Sequence, residues 1–357
     1  MNYVRRFVSC LFLSGMVAFF LFPLGAAEAK DFSVLYSFCA KQNCTDGNQP
    51  TASLIMDNQG FLYGTTLSGG KTIGGSTFGT VFKLAPDGTE TVLHAFLGRD
   101  SDGDGEDPES ALLMDDAGNL YGATIEGGVH HRYQDDGSVF KITPDGTTTI
   151  LHGFRGPGDG SDGLFPSSGL IADRKSNLYG TTTRGGAYDA GAIFKISPRG
   201  KERLLYSFTG GDDGSGPSGG LLRDRDGNLY GTTGGGGAFA GGIVFKLASD
   251  GTVTVLHAFA GGQDDGAGPD GGLTADHAGN LYGTTLFGGR TEKYCPSGCG
   301  TIFKLAPDGT QTILHKFSYG AGAFPNGVIM DEQGNFYGTT QQGGADFYGT
   351  IFEFSPR

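Results

Sequence analysis

The sequence predicts an all-β chain, and three observations carry that expectation: its glycine load, a six-times repeated unit of four short β-type runs, and termini that complement each other. Of 357 residues, 67 are glycine. Each glycine inside a helix costs about 1 kcal/mol relative to alanine, which excludes a helix-rich fold. No Gly-x-y triplet runs through the chain, so collagen is excluded as well. Hydrophobic residues make up 37% of the sequence and 27 residues are phenylalanine, enough to build a sizeable core. A formal charge of −13 argues against nucleic acid as a partner.

The repeat fixes the architecture. A segment around "GNLYGTT" recurs with its tyrosine at Tyr63, Tyr121, Tyr179, Tyr230, Tyr282 and Tyr337. Each copy holds four short runs rich in β-branched and aromatic residues. In the first they are 52–57, 61–66, 79–84 and 90–96, labelled a, b, c and d. Asp57-Asn58-Gln59-Gly60 joins a to b, and Pro86-Asp87-Gly88-Thr89 joins c to d. Proline presets the first corner and Asp-Gly supplies positive φ, so both joints are hairpins. The b→c and d→a connections are longer and fall on the opposite face. Four antiparallel strands per repeat match the blades of a β-propeller. Residues 31–38 read as a strand d with no a, b or c before it, and 349–357 as a strand c with no d after it. The expectation is a six-bladed β-propeller over residues 30–357, closed by the N-terminal strand completing the last blade. Closure removes the two sheet edges that a linear array exposes.

Residues 1–29 read as a secretory signal peptide: Arg5 and Arg6, an apolar run from Phe7 to Phe22, Pro23, and Ala27-Glu28-Ala29 as cleavage site. The apolar run is short for a membrane span, so no span is expected after cleavage. The mature chain is expected to be a monomer, secreted, periplasmic or at the cell surface. Cys39, Cys44, Cys295 and Cys299 follow the signal, and an even count in an exported chain favours disulfides. Local pairs, Cys39–Cys44 and Cys295–Cys299, are favoured over a four-thiolate zinc site.

The run "GNLYGTT..GG....GTVFKL.PDGT.TVLH.F" resembles the GloVer tandem repeat of choice-of-anchor bacterial exported proteins, over essentially the whole mature chain. The resemblance implies an exported or surface-associated protein. It implies no activity and no catalytic residues. Members of that family commonly end in an anchoring segment, whereas this sequence stops at Pro356-Arg357.

Repeated side chains are expected to be structural. Phe82, Phe140, Phe194, Phe245, Phe303 and Phe352 occupy one core position of strand c. Lys83 and its equivalents form a solvated or Asp-paired row. His94, His152, His257 and His315 occupy one position of strand d, where hydrogen bonding or packing is expected. A D-G-x-x-P pattern in the d→a loops, beginning at Asp46, Asp104, Asp162, Asp213 and Asp265, reads as a turn. A sharper reading gathers those carboxylates round a cation at the channel mouth.

Asp100, Asp102 and Asp104, with Gly105, match the start of an EF-hand-type loop, which makes calcium the candidate cofactor. Ala111 stands where the closing acid belongs, leaving Glu106, Asp107 or Glu109 as substitutes. The b→c loops break the symmetry, and variable loops on a rigid scaffold are where function usually resides. They offer His130, His131 and Tyr133 in copy two, Tyr188, Phe239 and Phe347 in the short loops, and Tyr294 in copy five. The reading is a non-catalytic propeller that binds an extracellular polymer or protein through its variable-loop face. The alternative is a metal-dependent, lactonase-like hydrolase at the channel mouth, by analogy of fold alone.

Overall fold

The computed structural model describes residues 31–98, 104–127, 135–155 and 163–356. Six four-stranded antiparallel sheets follow one another along the chain, each in the order a-b-c-d. Blade 1 comprises Ile55–Met56, Leu62–Thr66, Thr80–Leu84 and Glu90–Ala95. In blade 6, Ala323–Met330, Phe336–Gln342 and Thr350–Ser355 are joined by the N-terminal strand Asp31–Ser37. Asp31 pairs with Ser355 and Ser37 with Thr350. The ring therefore closes by one strand from the N-terminus and three from the C-terminus, as the sequence predicts. The signal-peptide segment lies outside the described residues.

The repeated motif is a set of interlocking contacts. In blade 3, Asp173 at the a–b turn accepts hydrogen bonds from the backbone N–H of Lys175 and Asn177, the Asn177 amide and the Tyr179 hydroxyl. The same Asp–Tyr bond recurs in every blade, from Tyr63–Asp57 to Tyr337–Asp331. Burial alone would raise these carboxyls. The hydrogen bonds outweigh it and hold Asp57, Asp115, Asp173, Asp224 and Asp276 below the usual carboxylate range. In blades 1 to 4 the lysine lies over the tyrosine ring, with Lys195 Nζ 5.0 Å from the Tyr179 centroid and 3.8 Å from Asp173. In blade 6 the lysine is replaced by Glu353, which instead accepts a hydrogen bond from Tyr337.

Phenylalanines join the blades. The six strand-c rings are fully buried. Each meets a second buried ring at the end of strand d of the preceding blade: Phe96–Phe140, Phe154–Phe194, Phe208–Phe245, Phe259–Phe303 and Phe317–Phe352, at 5.1–5.3 Å edge-to-face. Phe38–Phe82, at 5.0 Å, makes the same contact across the closure. The strand-c ring also explains the glycine of "LYGTT". Gly64 pairs with Phe82 across the sheet, and a Cβ there would lie 2.7 Å from the ring.

Strand a is shorter than the sequence suggests. In blades 1–4 only two residues pair regularly with strand b. The ladder breaks after the repeated proline, which has no N–H to contribute, and the chain touches strand b again only further out. Those outer contacts are Asn48–Ser68, Glu106–Glu126, Gly163–Gly185 and Ser215–Gly235. In blades 5 and 6 strand a is continuous, but its register shifts between Asp270 and Thr274 and between Pro325 and Val328. Freed from the ladder, these inner segments bond to neighbouring blades. Thr181 donates to the Pro217 carbonyl and Thr339 to that of Ala52.

Candidate functional site

The inner segments surround a cavity of about 220 Å3 on the propeller axis, lined from the starts of strands a and the ends of strands b. That places it toward the variable-loop face. The residue after each repeated proline forms its wall: Thr51, Glu109, Ser167, Ser218 and Asp270. In blade 6 the equivalent Asn326 is held by hydrogen bonds to the Pro50 carbonyl, Thr339 and Gln341.

Two of these wall residues are acids from opposite blades, Glu109 from blade 2 and Asp270 from blade 5. Both are reachable from the cavity yet sit deep among protein atoms. Burial first, and the negative charges of Asp270 and Asp107 second, push Glu109 up to about 8. Burial also raises Asp270, against hydrogen bonds from Ser218 and the Gly271 N–H. None of the described residues lining the cavity is Lys, Arg or His. The Ser167 Oγ, in a residue 7% exposed, and the buried Thr51 Oγ1 have no hydrogen-bond partner among the described residues.

The described D-G-x-x-P aspartates do not gather at the axis, and Asp162 lies outside the described residues. Each described one is held by strand d of its own repeat: Asp46 by Tyr36, Asp104 by His94, Asp213 by Tyr206 and Asp265 by His257, at 2.7–3.1 Å. They also accept backbone N–H groups, as Asp104 does from Leu97. The strand-d histidines thus have hydrogen-bonding and packing roles. His315, whose repeat has Ala321 in place of the aspartate, stacks on Phe32 at 4.8 Å. Of the proposed calcium ligands, Asp104 is engaged in this way, and Asp100 and Asp102 lie outside the described residues. Glu109 lines the axial cavity.

The variable-loop aromatics are displayed. Tyr188, Phe239, Tyr294 and Phe347 are 61–64% exposed, one from each of blades 3 to 6. In blades 5 and 6 they form a cluster. Tyr294 lies 5.0 Å from Tyr319, and Tyr319 lies 6.2 Å from Phe347. Phe347 has φ +67°, in a loop slot that blades 3 and 4 fill with Asp189 and Ala240. A bulky ring in the left-handed region is strained. His130, His131 and Tyr133 lie outside the described residues.

The cysteines form two local disulfides, Cys39–Cys44 and Cys295–Cys299. Glu292 comes close to the second pair, but both thiols are consumed by the bridge and a zinc site of four thiolates is ruled out. No described helix is long and apolar enough to cross a membrane.

The sequence matches the Gloeobacter/Verrucomicrobia repeat over residues 21–164 and 130–318. The chain belongs to that family. The axial acids are not repeated between the copies of this chain. No curated protein matches the sequence. Among solved structures it is similar to a luciferin-regenerating enzyme, at 13% identity and a TM-score of 0.56, covering 91% of this chain and 95% of the other. A gluconolactonase-like protein aligns at 11% identity with a TM-score of 0.54, over 92% of each chain. Virginiamycin B lyase from Staphylococcus aureus aligns at 13% identity with a TM-score of 0.52, over 91% of this chain and 99% of the other. At such identities the likeness is one of fold.

Proposed function

We propose that this chain is an exported binding propeller that grips an extracellular polymer through the aromatic side chains of its variable-loop face. The observation that carries the reading is the display of Tyr188, Phe239, Tyr294 and Phe347, each more than 60% exposed. Aromatic rings supply large, rigid contact area and are enriched at binding surfaces. The cluster of Tyr294, Tyr319 and Phe347 makes a contiguous patch rather than scattered rings. Two disulfides suit an oxidising compartment outside the cytosol, in keeping with the signal-like N-terminus. The hydrolase reading rests on fold likeness alone, which shows architecture and not activity.

Sedimentation with insoluble polysaccharides and affinity electrophoresis through soluble ones test the proposal. The protein should be retained by at least one polysaccharide. The combined Tyr188→Ala, Phe239→Ala, Tyr294→Ala, Phe347→Ala variant should be released, with an unchanged melting temperature. Equal retention of both proteins, or retention of neither, would overturn it.

A further inference from the structure

The axial cavity shares no residue with the aromatic rim, and the two stand or fall separately. Its wall is asymmetric where the rest of the ring repeats. The slot after the repeated proline holds Thr51, Glu109, Ser167, Ser218, Asp270 and Asn326 in the six blades, and the first five line the cavity. Asp270 sits at the register shift of its strand, and such irregularities re-aim side chains out of the ladder. Two acids line it without a basic residue among the described lining. The negative charge of Asp270 acts on Glu109, and carboxyls that repel one another without a cation stay partly protonated. The Ser167 Oγ and the Thr51 Oγ1 have no hydrogen-bond partner among the described residues, where buried hydroxyls normally have one.

We propose that the axial cavity binds a primary ammonium group on a small ligand or side chain, held by the Glu109 and Asp270 carboxylates of its wall, with the enclosed Ser167 and Thr51 hydroxyls turning to accept its remaining hydrogens. An ammonium has three donors and no acceptor, the complement of this wall. The cavity holds about 220 Å3, room for several waters. That suits an aliphatic or hydroxylated amine. A bare calcium ion, which draws six to eight oxygens to about 2.3–2.6 Å, leaves most of it unfilled. Burial, Asp270 and Asp107 keep Glu109 protonated up to about pH 8, so cation binding displaces a proton from it. Affinity therefore rises with pH through that range while the amine itself stays charged.

Titration calorimetry with ethanolamine, at about pH 6 and about pH 9, provides the test. Ethylene glycol and calcium chloride are the controls. Nα-acetyl-lysine amide and glucosamine distinguish a peptide-borne from a sugar-borne amine. Ethanolamine should bind more tightly at the higher pH, with a heat that depends on the ionisation enthalpy of the buffer. Ethylene glycol should not bind. Glu109→Gln and Asp270→Asn should each weaken binding at least about 30-fold. The buffer dependence is read on the unaltered protein, so it stands even where a variant folds poorly. The proposal is overturned if no amine binds, or if the two variants bind as the parent does. It is also overturned if calcium binds in a Glu109-dependent way while amines do not.

Discussion

The outer frame and the axis of this propeller are built on opposite rules. In the frame, every blade carries the same Asp–Tyr turn and the same pair of phenylalanines reaching to its neighbour. At the axis, equivalent slots hold threonine, glutamate, serine, aspartate and asparagine. A six-fold repeated side chain holds the ring together but cannot converge with unlike groups on one ligand. The difference locates recognition where the repeat is broken, at the axis and in the variable loops.

The comparison breaks first at the closure. A chain that begins at Gln42, with Cys44→Ser to avoid a free thiol, lacks the strand that pairs with Thr350–Ser355. It should aggregate or melt far below the parent, because an exposed edge and the Phe82 ring lose their partners. An unchanged melting temperature would mean that the frame does not need to close.

Equivalence within the frame is tested next. Phe140→Ala, Phe245→Ala and Phe303→Ala should each cost about 3–5 kcal/mol in denaturant unfolding, alike within error because each ring has the same partner. A single blade that tolerates the change would show that the frame is not uniform.

The smallest effect belongs to the Asp–Tyr turn. Tyr179→Phe removes one hydrogen bond and should cost about 1 kcal/mol. The turn carboxyls titrate lower in the folded chain than in the unfolded chain, where aspartate lies near about 3.9. The unfolded chain therefore takes up protons first, and stability is lost as pH falls below about 4. Asp173→Asn should flatten the acid limb of the melting-temperature profile, and a limb as steep as the parent's would contradict the assignment.

The frame was legible in the sequence because its rules are local and repeated. Pro-Asp-Gly demands a hairpin, "LYGTT" recurs with its tyrosine, and a lone strand d at one end answers a lone strand c at the other. The local disulfides followed from short loops. The ring-to-ring contacts were only half legible. Strand c announces its phenylalanine, but nothing local in the sequence pairs that ring with Phe96 and its equivalents. The aspartates of D-G-x-x-P invited a cluster at the axis, yet strand d supplies each with a histidine or tyrosine first. The axial acids were missed because each is a single residue in a segment that leaves its ladder. In the sequence Glu109 stands only as a substitute ligand for the Asp100 loop, and Asp270 belongs to no motif. Aligning the six copies on their prolines exposes the slot, since two acids there stand where hydroxyls and an amide stand in the others.

The claim that the axis holds an unmatched acidic site is tested most directly by the titration of Glu109 itself. Carboxyl carbon NMR of the free protein, with Glu109→Gln to assign the signal, reads its midpoint. The account predicts a midpoint near 8, falling toward the ordinary glutamate range when ethanolamine saturates the protein. A midpoint near about 4.3, as in an unperturbed glutamate, with no response to the amine, would contradict it.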